Sequence, residues 1–478
     1  MRKTKLHLTK ECVFGIIGVL FCALFCVLPA PQGLAKAAYD AGSTGEISMR
    51  ILGITVLSIM WWVGEVVPDW LTAIAMLLLW IVLGEIPFST AFASFSGTSV
   101  WLIVGAFCLA AGITKTGLFK RISWFLIRFF SPTFGGQVLA MLVVGAICAP
   151  LVPSSTAKAV LGASIANNIS DAMKYPKNSR GRCGLFIASF IGFSASTPAF
   201  MSGSVFTYTM LGALPNDIRE GITWGSWLIT MLPWLLILLI CSFFAIRFFS
   251  APREVSALTT EYVQKKCKEM GKLSKKEMLS ALLLSGAVLL WILESILEID
   301  AGVTAMAAAF LCFALHILNK DELPSAVPWG LVIFLGGVLN LGTILSRVGL
   351  DIWIQGLLSP LFQNIKNPIL IITIVSVTVL VLRLVMVSQS ATVIVMIAIL
   401  SPVLGTTGFS PFLVGLIVLA AEQCWFLSFQ NVVFTPALSC MQGSLEHGKT
   451  VVYCVIFEVI SLIGFLISFP YWKILGII

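Results

Sequence analysis

The chain alternates between long apolar runs and short polar breaks. Runs of about 17–25 apolar residues recur from end to end, the length that crosses a bilayer as helix. They predict spans at approximately 12–31, 50–66, 70–83, 98–113, 226–247, 279–297, 301–318, 329–345 and 450–471. Four further apolar stretches are interrupted. Residues 134–170 and 368–405 each read as two apolar arms around a polar tip. Residues 183–212 and 411–440 each read as a helix broken by Ser, Thr and Pro. Backbone groups in hydrocarbon must be satisfied within the segment, and these runs are too long for barrel strands. The pattern predicts an all-α polytopic membrane protein with about 11 crossings and two re-entrant hairpins.

Composition agrees. Apolar residues make up 58% of the 478 and charged ones 11%, against roughly a quarter charged in a soluble domain. Mean hydropathy is +1.01. The net charge of +8 would suit nucleic acid, but Lys and Arg fall in short segments between spans, as membrane topology requires. No nucleic-acid partner is expected. The twelve Cys lie mostly inside apolar runs, without CxxC or Cys/His spacing, and read as small core residues. With only His7, His316 and His447, all near span ends, no metal site, cofactor or catalytic pair is expected. Residues 1–35 also resemble a leader peptide, but losing that span would upset the charge topology.

Charge sets the orientation. With the N-terminus cytoplasmic, twenty-two of the 30 Lys and Arg lie in inner segments and six in outer ones, a bias expected of a plasma-membrane protein. The remaining two, Lys158 and Arg383, fall at membrane depth. If 134–170 crossed fully, the basic segments 115–128 and 174–182 would face opposite sides; a hairpin that enters and leaves on one side removes that conflict. Residues 115–130 mix cations with aromatics at helical spacing and predict an interfacial helix.

The interrupted stretches repeat. The first tip reads Ser154-Ser155-Thr156, with Lys158 just beyond, and its broken helix carries Thr197-Pro198. The second reads Ser388-Gln389-Ser390, with Arg383 just before, and its broken helix carries Ser428, Gln430, Asn431 and Thr435-Pro436. One hairpin opens inward and the other outward, so the repeats are inverted. Discontinuous segments at matching places in inverted halves point to a transporter site near the midplane. A Ser or Thr opening each second arm offers hydroxyls and free N–H groups at a positive helix end. Proline at 198 and 436 removes a backbone donor and breaks each helix. Two such half-sites suit an anion with a carboxylate at each end.

On these tips and Thr-Pro breaks, nearly the whole chain resembles the divalent anion/sodium symporter family of di- and tricarboxylate carriers. The resemblance implies a homodimer with a fixed scaffold and an elevator-type moving domain. It places scaffold helices in 1–130, the first transport half in 131–246, a connector and more scaffold in 247–366, and the second transport half in 367–478. It also implies substrate contacts at Ser154, Ser155, Thr156, Thr197, Pro198, Ser388, Gln389, Ser390, Thr435 and Pro436. The family carries Ser-Asn-Thr at both tips, and its asparagines touch substrate and Na⁺. Here Ser155 and Gln389 replace them. A buried cation costs roughly 2.5–3.5 kcal/mol on insertion scales, so Lys158 and Arg383 are candidate replacements for two sodium ions, and Lys158, at a positive helix end, calls for an anionic neighbour. The expected function is exchange of small dicarboxylates such as succinate, malate or 2-oxoglutarate, with Na⁺-coupled symport as the alternative. An intramembrane enzyme would need a nucleophile–base pair or metal ligands at depth, and a channel a continuous polar lining. Glu422 and Glu458 read either as proton-relay groups or as a structural pairing between helices.

Overall fold

A computed structural model describes residues 10–219, 221–252, 260–362, 367–384, 386, 388–404 and 409–477. Arg2, Lys3 and Lys5 of the expected inner terminus, with Arg253, Lys366 and Gly405, lie outside the described residues. Among the described residues all regular structure is helical. Among the described residues seven helices are long and apolar enough to cross a membrane: Lys10–Val27, Gly45–Gly64, Thr98–Thr116, Phe134–Leu151, Trp224–Phe249, Trp329–Arg347 and Val451–Ile474. Shorter apolar helices occupy Asp69–Val82, Ala301–Ala314, Pro368–Arg383, Gln389–Ser401 and Pro411–Ala421.

The expected interfacial helix runs Leu118–Ile127 and follows Gly117 at φ 80°. The Arg128 guanidinium lies 4.2 and 4.8 Å from the ring centres of Phe125 and Phe129, a cation–aromatic cluster suited to a headgroup layer. A second helix after a positive-φ glycine, Leu350–Phe362, follows Gly349 at φ 70°. An added Cβ at Gly349 would lie 2.3 Å from Ala37 O, so the turn needs glycine. The sequence pattern does not predict this helix, because Asp351, Gln355 and Pro360 leave no span-length run.

The two interrupted halves pack alike. Both arms of the first hairpin, Phe134–Cys148 and Ser155–Ala172, pack on Arg180–Phe190. Both arms of the second, Pro368–Arg383 and Gln389–Leu404, pack on Pro411–Ala421. Each first arm also meets the helix that closes its own half: Phe134–Cys148 on Trp224–Phe249, and Pro368–Arg383 on Val451–Ile474. Those closing helices pack on each other. The halves then interlock, because Ser155–Ala172 packs on Phe434–Ser439 while Gln389–Leu404 packs on Val205–Ala213. Each second arm therefore touches the far side of the other half's break.

Close backbone approach holds this assembly. A Cβ at Gly145 would lie 2.3 Å from Gly192 C, and one at Gly192 2.3 Å from Met141 O. Small residues let membrane helices approach this closely and gain dispersion contacts. Elsewhere Gly45–Gly64 packs on Lys10–Val27 and Asp69–Val82, and Thr98–Thr116 packs on Ala301–Ala314.

Polar contacts group the expected inner segments on one face. Lys115 pairs with Glu322 at 2.6 Å. Arg121 pairs with Glu277 at 2.7 Å and donates to the carbonyls of Met270 and Gly271. Asn178 Nδ2 donates to Glu446 Oε1, and Glu446 N donates to Asn178 Oδ1, both at 2.8 Å. Arg50 and Glu85, both expected outside, pair at 2.8 Å.

Candidate functional site

Each tip is built by a serine cap. Ser154 Oγ accepts from Ala157 N, and Ser388 Oγ accepts from Ala391 N, each at 3.3 Å. Both second arms thus start one residue later, at Ser155 and Gln389, with a serine satisfying one of the first free N–H groups. The next position has no partner in either half: Ser155 Oγ is buried without one, as are both amide atoms of Gln389. Thr156 is half-buried and Ser390 buried.

The first break is fully enclosed. Helix Arg180–Phe190 widens into a π turn over Ile191–Ala195, passes through a 3-10 turn over Thr197–Ala199, and resumes at Val205. π turns in helices recur at functional sites. Ser194, Ser196, Thr197 and Pro198 are all buried. Thr197 Oγ1 donates to Ser194 O and Ser196 Oγ to Gly192 O, both at 2.6 Å. Ser194 Oγ has no partner. Trp227 Nε1 donates to Pro198 O at 2.9 Å.

The second break is longer and more open. Pro411–Ala421 ends before Glu422, and the helix resumes only at Phe434. Thr435-Pro436 therefore lies in the first turn of Phe434–Ser439, past the break, whereas Thr197-Pro198 lies inside its own. Thr435 is exposed and donates to Ser428 O at 2.6 Å. Asn431 staples the gap: its Nδ2 donates to Gln423 O at 3.0 Å, and its Oδ1 accepts from Val433 N and Phe434 N, each at 3.0 Å. Trp425 stacks on Phe434 with ring centres 5.3 Å apart, and Phe190 from the first half meets both.

The two cations expected at membrane depth tie tips to breaks. Lys158, fully buried, donates from Nζ to Ala149 O at 2.6 Å and to Gly203 O at 2.5 Å. Arg383, the last residue of its arm and also buried, donates to Met386 O at 2.7 Å and to Gln430 O. The anionic neighbour expected for Lys158 is not found among the described residues; two neutral carbonyl dipoles take its place. These oxygens offset a cation without adding a second buried ion.

The sequence pattern does not mark Gly203, Gln430 or Asn431 as site residues, although both amides lie within the second broken helix. Asp69 was also missed. It opens Asp69–Val82, and Ser388 Oγ lies 3.4 Å from its Oδ2. Nothing in the local pattern marks that contact across 319 positions. A cleft of about 870 Å³ lies elsewhere, lined by Leu341, Arg347 and Asp351 on one wall and Ala213, Ile397 and Ser401 on the other. No tip residue lines it.

The profile of the sodium:sulfate symporter transmembrane region matches residues 9–478. A sodium-dependent dicarboxylate transporter of Staphylococcus saprophyticus, SdcS, is 23% identical over 89% of this chain and 84% of its own. An L-tartrate/succinate antiporter of Shigella flexneri is 25% identical over 74% of this chain and 76% of its own. The crystal structure of the YdaH transporter of Alcanivorax borkumensis shares the fold with a TM-score of 0.57 at 12% identity, covering 81% of this chain and 88% of that one.

Proposed function

We propose, from the premise that this chain belongs to the sodium:sulfate symporter transmembrane family and is a multi-pass membrane carrier rather than an enzyme, that it exchanges one small dicarboxylate for another without sodium. Relatives named as a dicarboxylate transporter and a tartrate/succinate antiporter support the substrate class. The observation that carries the exchange reading is the matched placement of Lys158 and Arg383. Each bridges carbonyls of its own hairpin tip and of the neighbouring break. Carbonyls at helix breaks are groups that coordinate sodium in coupled carriers, and here carbonyls of that kind accept hydrogen bonds from tethered cations instead.

A permanent cation changes the transport cycle. A symporter gains its positive charge when ions bind and loses it when they leave. Fixed charges stay, and moving them uncompensated through hydrocarbon is expensive. A bound dianion offsets them, so the loaded domain moves and the empty one stalls. One-for-one exchange follows. In this reading Ser154, Ser155, Thr156, Thr197 and Pro198 form one half-site, and Ser388, Gln389, Ser390, Thr435 and Pro436 the other. The moving domain comprises 131–246 and 367–478 in a homodimeric elevator in the plasma membrane, N-terminus inside.

The test is uptake of labelled dicarboxylate into proteoliposomes, preloaded or empty, in Na⁺ or choline buffer. Exchange predicts strong uptake only into preloaded vesicles, equal in both buffers. Uptake into empty vesicles that needs a Na⁺ gradient would establish the symporter instead.

A further inference from the structure

Behind the second tip lies a polar cluster that dicarboxylate exchange leaves unexplained. Glu422 stands at the end of Pro411–Ala421, where the helix breaks, and Glu458 projects from Val451–Ile474. Both are buried. Glu422 Oε1 accepts from Gln423 Nε2 at 2.9 Å, while Glu422 Oε2 and Glu458 Oε1 have no partner. The two carboxylates repel each other electrostatically, and Arg383 attracts Glu422. Gln389, itself buried, turns its amide toward Glu422 without completing a hydrogen bond. The other ionisable groups facing the pair are Cys424 from the break and Cys454 from the closing helix. His447 Nε2 lies 3.0 Å from Trp425 O, near the same break.

We infer that Glu422 and Glu458 form a proton-binding pair that loads together with the dicarboxylate. Glu422 faces the guanidinium and Glu458 stands against Glu422, and an unpaired ion in this setting is costly. With one proton on the pair, the trio of Arg383, Glu422 and Glu458 is neutral, and Lys158 alone remains as the uncompensated charge of the empty domain. A dianion arriving at the second tip brings new negative charge beside Gln389 and Arg383. That charge repels the remaining carboxylate, and a second proton taken from water restores neutrality. No bond in the substrate changes; one O–H bond forms on a glutamate and breaks on release. The pair thus joins the exchange cycle as a proton carrier, an inference that rests on the dicarboxylate reading of the tips.

The experiment has a substrate-free arm and a substrate arm, both on full-length protein in lipid. Infrared difference spectra across a pH step should show a protonated-carboxyl band, absent from the Glu422→Gln/Glu458→Gln double variant. Adding 2-oxoglutarate in weak buffer with an indicator dye should then draw about one proton per bound anion, and the double variant should draw none. A band that persists in the double variant, or anion binding without proton uptake in the parent protein, would overturn the inference. If the parent binds no dicarboxylate, the functional reading fails, and the infrared band alone decides whether the pair holds a proton. Should the double variant fail to fold, the single Glu458→Gln change, which leaves one carboxylate for Arg383, must remove the band by itself.

Discussion

Arg383 and Gln430 hold each other in both directions: the guanidinium donates to the Gln430 carbonyl, and Gln430 Nε2 donates back to the Arg383 carbonyl at 2.9 Å. Gln430 Oε1 also accepts from Leu427 N. One side chain therefore ties the second hairpin to the second break. Gln430→Ala would strand buried partners, at a cost of about 1–3 kcal/mol. A lowered melting temperature of the purified protein checks this. A melting curve that matches the parent would show that the Gln430 side chain's half of the tie carries no stability.

Lys158 sets the coupling in the first half. Lys158→Ala removes the fixed charge and releases Ala149 O and Gly203 O. Dicarboxylate affinity should fall, and uptake into empty vesicles should rise relative to exchange, because the empty domain becomes easier to move. Comparing flux into preloaded and empty vesicles reads both effects. Unaltered coupling in this variant would exclude Lys158 as the lock.

The tip residues divide into two kinds. Ser154 and Ser388 cap their helices, so alanine there should lower stability by about 1 kcal/mol as well as affinity. Ser155 and Gln389 have unpartnered polar atoms. Ser155→Ala and Gln389→Ala should leave stability near the parent value while weakening the substrate by roughly one to two decades, the effect of losing a donor to a charged ligand. Substrate titrations alongside melting curves separate the two classes. Equal losses of stability in all four variants would remove the distinction.

Asp69 places a carboxylate beside the second tip. Asp69→Asn should tighten apparent dianion binding, by up to about tenfold, because it removes a negative charge near the substrate's expected seat. Binding measured at two ionic strengths should show the gain shrinking with salt. Weaker binding in this variant would instead make Asp69 part of the substrate's support.

Sidedness follows from the contacts. Lys120→Cys and Lys177→Cys should react with an impermeant thiol reagent from the same side of the membrane, because both segments bear on the face that carries Arg121, Gly271 and Glu446. Labelling from opposite sides would mean that residues 134–170 cross completely.

Backbone contact supplies the last prediction. Gly192→Ala would push a methyl group to 2.3 Å from Met141 O, whereas Gly286 has nothing within 4 Å. The first variant should lose the monodisperse peak in size-exclusion chromatography, and Gly286→Ala should keep it. Two identical elution profiles would contradict the close crossing.

Periodicity and local chemistry already carry much of this protein. Apolar run length determines the spans, and a serine followed by a new apolar arm determines each N-cap, because both are interactions within a few residues. The helix at 118–127 is legible for the same reason. What lies beyond local sequence is which groups meet. Lys158 finds Gly203 45 positions away, Arg383 finds Gln430 47 away, and Ser388 finds Asp69 319 away. From the chain alone Lys158 and Arg383 differ only in which end of a helix they occupy. Packing adds a further difference: both bridge backbone carbonyls, but the arginine also faces the buried Glu422. Thr197 and Thr435 likewise read as a matched pair, yet one is buried in a short break and the other exposed beyond a long one. Burial and charge balance depend on how the interlocked halves exclude water, and that arrangement exists only once the helices have packed.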